Sequence, residues 1–233
     1  MAGPAIACGS GHWVLDLDGV WALTSIRDHA LECLRADKIM AILRQVPRET
    51  LVPLADLLVE SGVRSLEITH DYPTATDDVK YLSDRFGTDA SVGVGTTWTV
   101  EQAESAAAAG STFCVLPGVN EETTRRSAEL GMLTLPGVQS PAEIQLALVS
   151  GADVFKFFPA DPPGARWLAQ VRPAYPQRPF MATGGVTVDT MADFFDAGAM
   201  AVGMADTLFG DPANIDRARG MISAAVDVAR NYG

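Results

Sequence analysis

The chain has 233 residues, of which 48% are hydrophobic and 20% charged, and its formal net charge at pH 7 is −12. This size favours one large domain with a substantial core, and the acidic balance excludes a binder of nucleic-acid phosphates, which needs a basic face. No apolar run reaches the roughly 20 residues of a membrane helix, and no signal-like segment opens the sequence. We therefore expect a cytoplasmic protein without membrane contact.

The three cysteines and three histidines are scattered along the chain, without the spacing of metal ligands. Neither a disulfide framework nor a local metal site is expected from this pattern. A metal held by distant parts of the chain stays open.

Residues 1–37 stand apart from the rest of the chain. Two short apolar segments that contain Trp13 and Trp21 flank Asp18-Gly19, a dipeptide suited to a hairpin turn. A helix is expected from about Asp28 to Ala36. We predict an N-terminal extension, hairpin plus helix, that covers the N-terminal end of the main domain or contacts a neighbouring subunit.

The same extension contains Asp16-Leu17-Asp18-Gly19-Val20, which is similar to the nucleophile motif of haloacid-dehalogenase-type phosphatases. That motif needs a strand leading into a doubly wound domain, and here a hairpin is expected instead. A phosphatase is therefore an alternative that lacks its structural context.

From Lys38 onward, short apolar segments alternate with helical ones. The predicted strands are 39–43, 65–69, 91–95, 112–116, 132–136, 153–157, 180–183 and 199–204. Capping signals at Thr99 and Ser140 mark helix starts, and glycines mark helix ends. Apolar strands that alternate with helices indicate a parallel sheet buried on both faces. We predict that residues 38–233 form a single (β/α)8 TIM barrel with its site at the C-terminal ends of the strands.

Lys156 is the most informative residue, because no other charge lies near it in Val154-Phe155-Lys156-Phe157-Phe158. Burial disfavours the ammonium and lowers the lysine pKa from its usual value of about 10.4, which leaves a free amine able to attack a carbonyl. That chemistry is typical of Schiff-base enzymes. Alternatively, the side chain lies along the core and its head reaches solvent or a carboxylate.

Glu67 is as unusual as the lysine, because its neighbours Leu66 and Ile68 suit the packed outer face of a strand. Glu67 and Lys156 should then both point into the barrel. A purely structural ion pair is the alternative, but such pairs are costly to desolvate. The combination favours catalysis, since close ionisable groups in different environments serve as acid and base.

Six segments, in this order, carry a resemblance to a known family: Ile39-Met40-Ala41-Ile42-Leu43-Arg44, Leu66-Glu67-Ile68-Thr69, Val92-Gly93-Val94-Gly95-Thr96, Leu135-Pro136-Gly137-Val138, Phe155-Lys156-Phe157-Phe158-Pro159-Ala160 and Thr183-Gly184-Gly185-Val186. They resemble the pyruvate-dependent class I aldolases that cleave 2-keto-3-deoxy-6-phosphogluconate or 4-hydroxy-2-oxoglutarate. The resemblance covers about residues 38 to 228.

The resemblance implies a (β/α)8 fold, a homotrimer, and no metal or other cofactor. It implies that Lys156 is the Schiff-base residue and that Glu67 is the general acid/base. The predicted substrate-binding positions are Arg44, Thr96, Phe158, Gly184 and Gly185, with Ser140 as a further hydroxyl. Thr96 could alternatively cap the following helix. The expected partners are a small 2-oxo acid and an aldehyde.

Three departures from the family bear on the substrate. The backbone of Thr183-Gly184-Gly185-Val186 fits half of a phosphate cradle. Asp206, a further predicted substrate-binding position, stands in the other half, where phosphate-using relatives carry serine, and we expect its carboxylate to repel phosphate and to pair with Arg44. Alternatively, Asp206 lies in the cap of the next helix. His70-Asp71 replaces the Leu-Arg of some relatives. Trp98 stands at the expected mouth, where it either shapes an apolar acceptor pocket or simply packs. The predicted aldehyde is non-phosphorylated or differently charged.

Two other functions stay open. A decarboxylase or dehydratase could use the same imine on a 2-oxo acid. A non-catalytic barrel that binds a partner is also possible, although two ionisable groups buried in apolar strands bring a binding protein no evident gain.

Overall fold

The computed structural model describes residues 11–15, 21–176 and 178–232. The strands are β1 (Gly11–Leu15), β2 (Trp21–Ser25), β3 (Ile39–Leu43), β4 (Ser65–Thr69), β5 (Ser91–Gly95), β6 (Phe113–Val115), β7 (Leu133–Leu135), β8 (Gly137–Val138), β9 (Phe155–Phe157), β10 (Phe180–Thr183) and β11 (Ala201–Met204). The helices are α1 (Ile26–Asp37), α2 (Arg48–Glu60), α3 (Ala75–Phe86), α4 (Val100–Ala108), α5 (Glu121–Glu129), α6 (Pro141–Val149), α7 (Ala165–Val171), α8 (Met191–Asp196), α9 (Asp206–Phe209) and α10 (Ile215–Arg230).

Strands β3 to β11 form one parallel sheet in the order β7-β6-β5-β4-β3-β11-β10-β9-β8. Strand β7 pairs with β6 and β8 pairs with β9, and only Pro136 separates β7 from β8. The two short strands therefore share one position, and the sheet closes as a (β/α)8 barrel. The predicted fold class is confirmed.

The predicted strand 132–136 differs from the observed structure, which runs from Leu133 to Val138 with a break. Pro136 has no N–H to donate to the sheet, but its carbonyl accepts a hydrogen bond of 3.0 Å from the backbone N–H of Lys156. The break between β7 and β8 thus lies beside Lys156, and the Pro136 carbonyl still pairs with the strand that carries the lysine.

Alternation along the strands divides the core into two parts. In β3, Ile39, Ala41 and Leu43 face the helices and belong to the outer core, whereas Met40 belongs to the barrel interior. The predicted helix starts are confirmed: Thr99 forms a capping box with Gln102, and the Ser140 hydroxyl accepts from the Glu143 N–H. None of the described helices has the length and apolar character that crossing a membrane requires.

Strands β1 and β2 pair as an antiparallel hairpin whose last register pair is Leu15 with Trp21. The predicted Asp18-Gly19 turn and the segment Asp16-Leu17-Asp18-Gly19-Val20 lie outside the described residues. Helix α1 packs on the N-terminal end of the barrel, because Ala30 and Leu34 join the interior cluster.

We predict that Leu34→Ala lowers the free energy of unfolding by about 2–5 kcal/mol, because it leaves a cavity under the barrel. Leu34 is 0% exposed. Glu32→Ala, at an exposed position of the same helix, should change stability little. Urea unfolding of both variants tests this, and equal stability of the two would show that α1 is not part of the core.

Candidate active site

One cavity of about 430 Å³ opens at the C-terminal end of the barrel. Its walls come from the strand ends and the loops that follow them, as the fold predicts. The lining residues are Ile42, Arg44, Glu67, Thr96, Trp98, Pro117, Lys156, Phe158, Thr183, Gly184, Gly185, Val186, Gly203, Met204, Ala205, Asp206 and Thr207. The structure thus brings together every predicted site residue except Ser140.

Lys156 and Glu67 face this cavity from opposite strands, β9 and β4. They are 5% and 1% exposed. The Lys156 nitrogen and the Glu67 carboxylate oxygens do not approach to within 4.0 Å, so the two side chains form no ion pair. A small molecule or a water can therefore lie between the amine and the carboxyl group.

Burial shifts the pKa values of both groups toward their neutral forms. Desolvation raises the pKa of Glu67 above 4.5, and the positive charges of Lys156 and Arg44 partly oppose this shift. Desolvation lowers the pKa of Lys156 below 10.5, and Glu67 partly opposes that shift. The site thus favours a free amine and a carboxyl group that can hold a proton.

The surroundings of both groups are tight. The Phe158 ring centroid lies 4.6 Å from Lys156 Nζ. A Cβ atom on Gly95 would overlap Glu67 Oε1, so only glycine allows the carboxyl group its position. Glu67 Oε2 is buried and has no hydrogen-bond partner among the described residues. A bound substrate or water would satisfy it.

Arg44 is held by two neighbours at the cavity mouth. Its Nη1 donates to Asp71 Oδ2 at 2.9 Å and its Nη2 donates to Thr96 Oγ1 at 3.1 Å. The expected pairing of Arg44 with Asp206 is therefore wrong. Strand β3 lies between β4 and β11, and Asp71, which follows β4, takes the guanidinium.

Asp206 is the first residue of α9 and also lines the cavity. Asp206 thus contributes to the lining without the arginine partner that we expected, and it also lies at the start of the next helix, as the alternative interpretation had it. Thr96 has a φ of 56°, which is uncommon for a β-branched residue, and Thr99 rather than Thr96 caps α4. The alternative role of Thr96 as that helix cap is excluded.

The double glycine follows β10 and packs on the loop that follows Lys156. Gly184 and Gly185 have φ values of 90° and 81°. The Gly184 carbonyl accepts from the N–H groups of Ala160 and Asp161, at 3.1 and 3.0 Å. A Cβ atom on Gly185 would lie 2.8 Å from Asp161 Cβ. This close approach requires glycine and ties the two loops together.

Ser140 is not among the residues that line the cavity. Its hydroxyl donates to Glu143 Oε2 at 2.8 Å and accepts from the Glu143 N–H at 3.3 Å. The structure gives Ser140 the role of a helix cap and lends no support to substrate binding.

Among the described residues, no cluster of three His, Cys, Asp or Glu side chains is arranged to hold a metal ion.

Sequence reasoning did not select Thr183, which lines the cavity with its buried Oγ1 unpartnered among the described residues. A Cβ atom on Gly203 would strike this hydroxyl. The sequence offered one signal for Thr183 as a site residue, its position directly before Gly184. Ile42 was also not selected as a site residue, although it shares the inward face of β3 with Met40.

Fold and site together define a (β/α)8-barrel enzyme with an amine and a carboxyl group buried across one cavity. A sequence profile described as "Aldolase: KDPG and KHG aldolase" matches residues 31–218. The chain belongs to this family, and the expected class I pyruvate aldolase resemblance is confirmed.

Individual relatives agree with the family. The chain is 36% identical over 167 residues to a 2-dehydro-3-deoxy-phosphogluconate aldolase of Treponema pallidum, covering 71% of this chain and 77% of the relative. It is 27% identical over 193 residues to a 2-dehydro-3-deoxy-6-phosphogalactonate aldolase of Escherichia coli, covering 82% and 94%.

A solved structure is similar as well. It is a KDPG aldolase from Legionella pneumophila with pyruvate captured as a covalent carbinolamine intermediate, at 25% identity and a TM-score of 0.75 over 88% of this chain and 98% of that one. Family and relatives make this chain an aldolase of the KDPG and KHG aldolase family.

We predict that Gly95→Ala lowers retro-aldol turnover by about 100-fold or more, because its methyl group displaces the Glu67 carboxyl and proton transfer contributes at least this factor. Gly220→Ala, at an exposed helix position with open space for a Cβ atom, is the matched control and should keep full activity. Steady-state kinetics measure both. Normal turnover of Gly95→Ala would show that the position of Glu67 does not matter.

Proposed function

We propose that this protein is a Schiff-base aldolase that reversibly cleaves a 2-keto-3-deoxy or 4-hydroxy-2-oxo acid to pyruvate and an aldehyde. One observation carries the proposal: Lys156 and Glu67 are buried on opposite strands, face one cavity, and form no ion pair with each other. The homotrimer implied by the resemblance and the cytoplasmic location stay predictions.

The neutral amine of Lys156 adds to the ketone of the 2-oxo acid and gives a carbinolamine. Loss of water leaves a protonated imine, which accepts the electron pair of the C3–C4 bond when that bond breaks. The bond pair becomes the enamine double bond, the C4 hydroxyl loses its proton, and the aldehyde leaves. A proton added to C3 of the enamine restores the protonated imine, and water then hydrolyses it to pyruvate and the free lysine.

Glu67 is suited to move the protons in this sequence. As a carboxylate it accepts the C4 hydroxyl proton, directly or through a water, and it returns a proton to C3 of the enamine. Burial raises its pKa, which favours the protonated carboxyl group that must return a proton in general acid/base catalysis.

The acceptor half of the site supports a non-phosphorylated aldehyde. Among the described residues that line the cavity, the one arginine is Arg44, and its charge is already paired with Asp71. Asp206 adds a carboxylate to the same mouth. A phosphate dianion would meet this carboxylate without a free arginine to offset the repulsion. The proposed substrate thus differs from those in the names of the phosphogluconate and phosphogalactonate relatives.

We predict that pyruvate and cyanoborohydride modify Lys156 in the wild-type chain and leave Lys156→Met unmodified, as read by peptide mass spectrometry. Glu67→Gln should keep this capture while its retro-aldol turnover falls about 10²–10⁴-fold.

Capture of pyruvate needs the free amine of Lys156, so the capture rate should rise with pH. Because the Lys156 pKa is lowered, the midpoint of the rise should lie below 10.5. Modification elsewhere, or no modification, would contradict the role of Lys156.

We predict that the wild-type chain cleaves a 2-keto-3-deoxy acid faster than its 6-phosphorylated counterpart. Asp206→Ser should raise kcat/KM for the phosphorylated acid about tenfold or more, because a unit charge a few ångströms away acts with about 2–4 kcal/mol near a protein surface. Asp227→Ser, at an exposed position of α10, is the matched control. Wild-type preference for the phosphorylated acid would refute the substrate proposal and leave the imine mechanism standing.

A further inference from the structure

We propose that Trp98 is the specificity-determining residue of the acceptor site, where its indole stacks on a flat, apolar face of the aldehyde. The chain then takes aromatic aldehydes, or aldehydes with an extended apolar face, in preference to small hydroxylated ones. This inference rests on the proposed aldolase function and names the class of its acceptor.

The indole of Trp98 is exposed although it is large and apolar. Trp98 is 57% exposed and lines the cavity. Trp167, whose side chain is also described, instead stacks on Phe157 with ring centroids 4.5 Å apart and planes 9° apart. No described ring or cation packs on Trp98 in this way. The indole face is thus available to a ligand.

The backbone of Trp98 is fixed from two sides. Its N–H donates to Gln102 Oε1 at 2.8 Å, and its carbonyl accepts from Asn120 Nδ2 at 3.3 Å and from Thr123 Oγ1 at 3.2 Å. These contacts come from the first turn of α4 and from the start of α5. The backbone that carries the indole is therefore held in place before a ligand binds.

The wall opposite Trp98 includes the double glycine. Trp98 follows β5, and four steps around the barrel lies β10, which Gly184 and Gly185 follow. The Phe158 ring and Asp161 fill the space that Cβ atoms on these glycines would take. No charged side chain stands at these two positions of the lining, so the indole is the large apolar surface that an acceptor meets there.

The reaction directs the acceptor toward the mouth of the cavity. The imine carbon is fixed at Lys156 near the depth of the cavity, so the acceptor carbons extend outward to the mouth. There they meet Trp98 and Pro117, whereas Arg44 is already paired with Asp71. Aromatic stacking thus supplies an attraction that the charges of the mouth do not.

The test is aldol addition of pyruvate to benzaldehyde, propanal and glyceraldehyde, with kcat/KM measured for each aldehyde at saturating pyruvate. The wild-type chain should prefer benzaldehyde. Trp98→Ala should lower kcat/KM for benzaldehyde about tenfold, Trp98→Phe should keep most of it, and propanal and glyceraldehyde should change less than about twofold. Tyr81→Ala, another exposed aromatic residue outside the cavity, should leave all three unchanged.

Reductive capture of pyruvate on Lys156 distinguishes a failure of the Trp98 inference from a failure of the proposed aldolase function. If Trp98→Ala captures pyruvate normally and loses benzaldehyde addition alone, the inference holds. If it loses all three aldehydes equally, or none, or if the wild-type chain does not add benzaldehyde, the inference is wrong although the aldolase function stands. Failure of the wild-type chain to capture pyruvate would refute the proposed function itself, and the inference with it.

Discussion

The structure depends on the burial of an amine and a carboxyl group that face each other without forming an ion pair. Taking either charge out of water costs several kcal/mol, and a direct contact between Lys156 and Glu67 would recover part of that cost. The barrel holds them on opposite strands instead. Each group therefore shifts toward its neutral form, which is the state that nucleophilic attack and proton return require. Stability is given up at the place where the chemistry occurs.

The rest of the barrel keeps this arrangement dry and narrow. Below the site, Met40, Val154 and Met181 fill the interior with apolar side chains, and Leu34 of α1 closes the end. Among the described residues, the side of Lys156 away from the cavity is thus packed with apolar side chains. Above this layer, the absence of a side chain at Gly95 gives the Glu67 carboxyl its space. The same apolar packing that stabilises the fold thus sets the pKa shifts of the site.

The strands and the two buried ionisable groups could be predicted from the sequence, because in a parallel barrel each strand is a short apolar segment that is recognisable by itself. The strands at 39–43, 65–69, 91–95 and 180–183 have the predicted bounds, and Lys156 and Glu67 are conspicuous because each interrupts an apolar run. The partner of Arg44 could not be predicted, since Asp71 and Asp206 follow the two strands that flank its own and only loop geometry selects between them. Ser140 shows the same limit: a hydroxyl at a helix start serves the helix or a ligand, and the sequence is identical in both cases.

Depth and mouth of the cavity obey different constraints. Glu67 and Lys156, the proposed reacting groups, lie on strands β4 and β9, where a small shift would disturb the whole sheet. Asp71, Trp98 and Asp206 lie beyond the strand ends, where loops can vary without cost to the core. The proposed departure from phosphorylated substrates accordingly concerns the mouth, whereas the proposed imine chemistry concerns the depth. Under the proposed function, an acidic and aromatic mouth above a buried lysine would change the acceptor and keep the reaction.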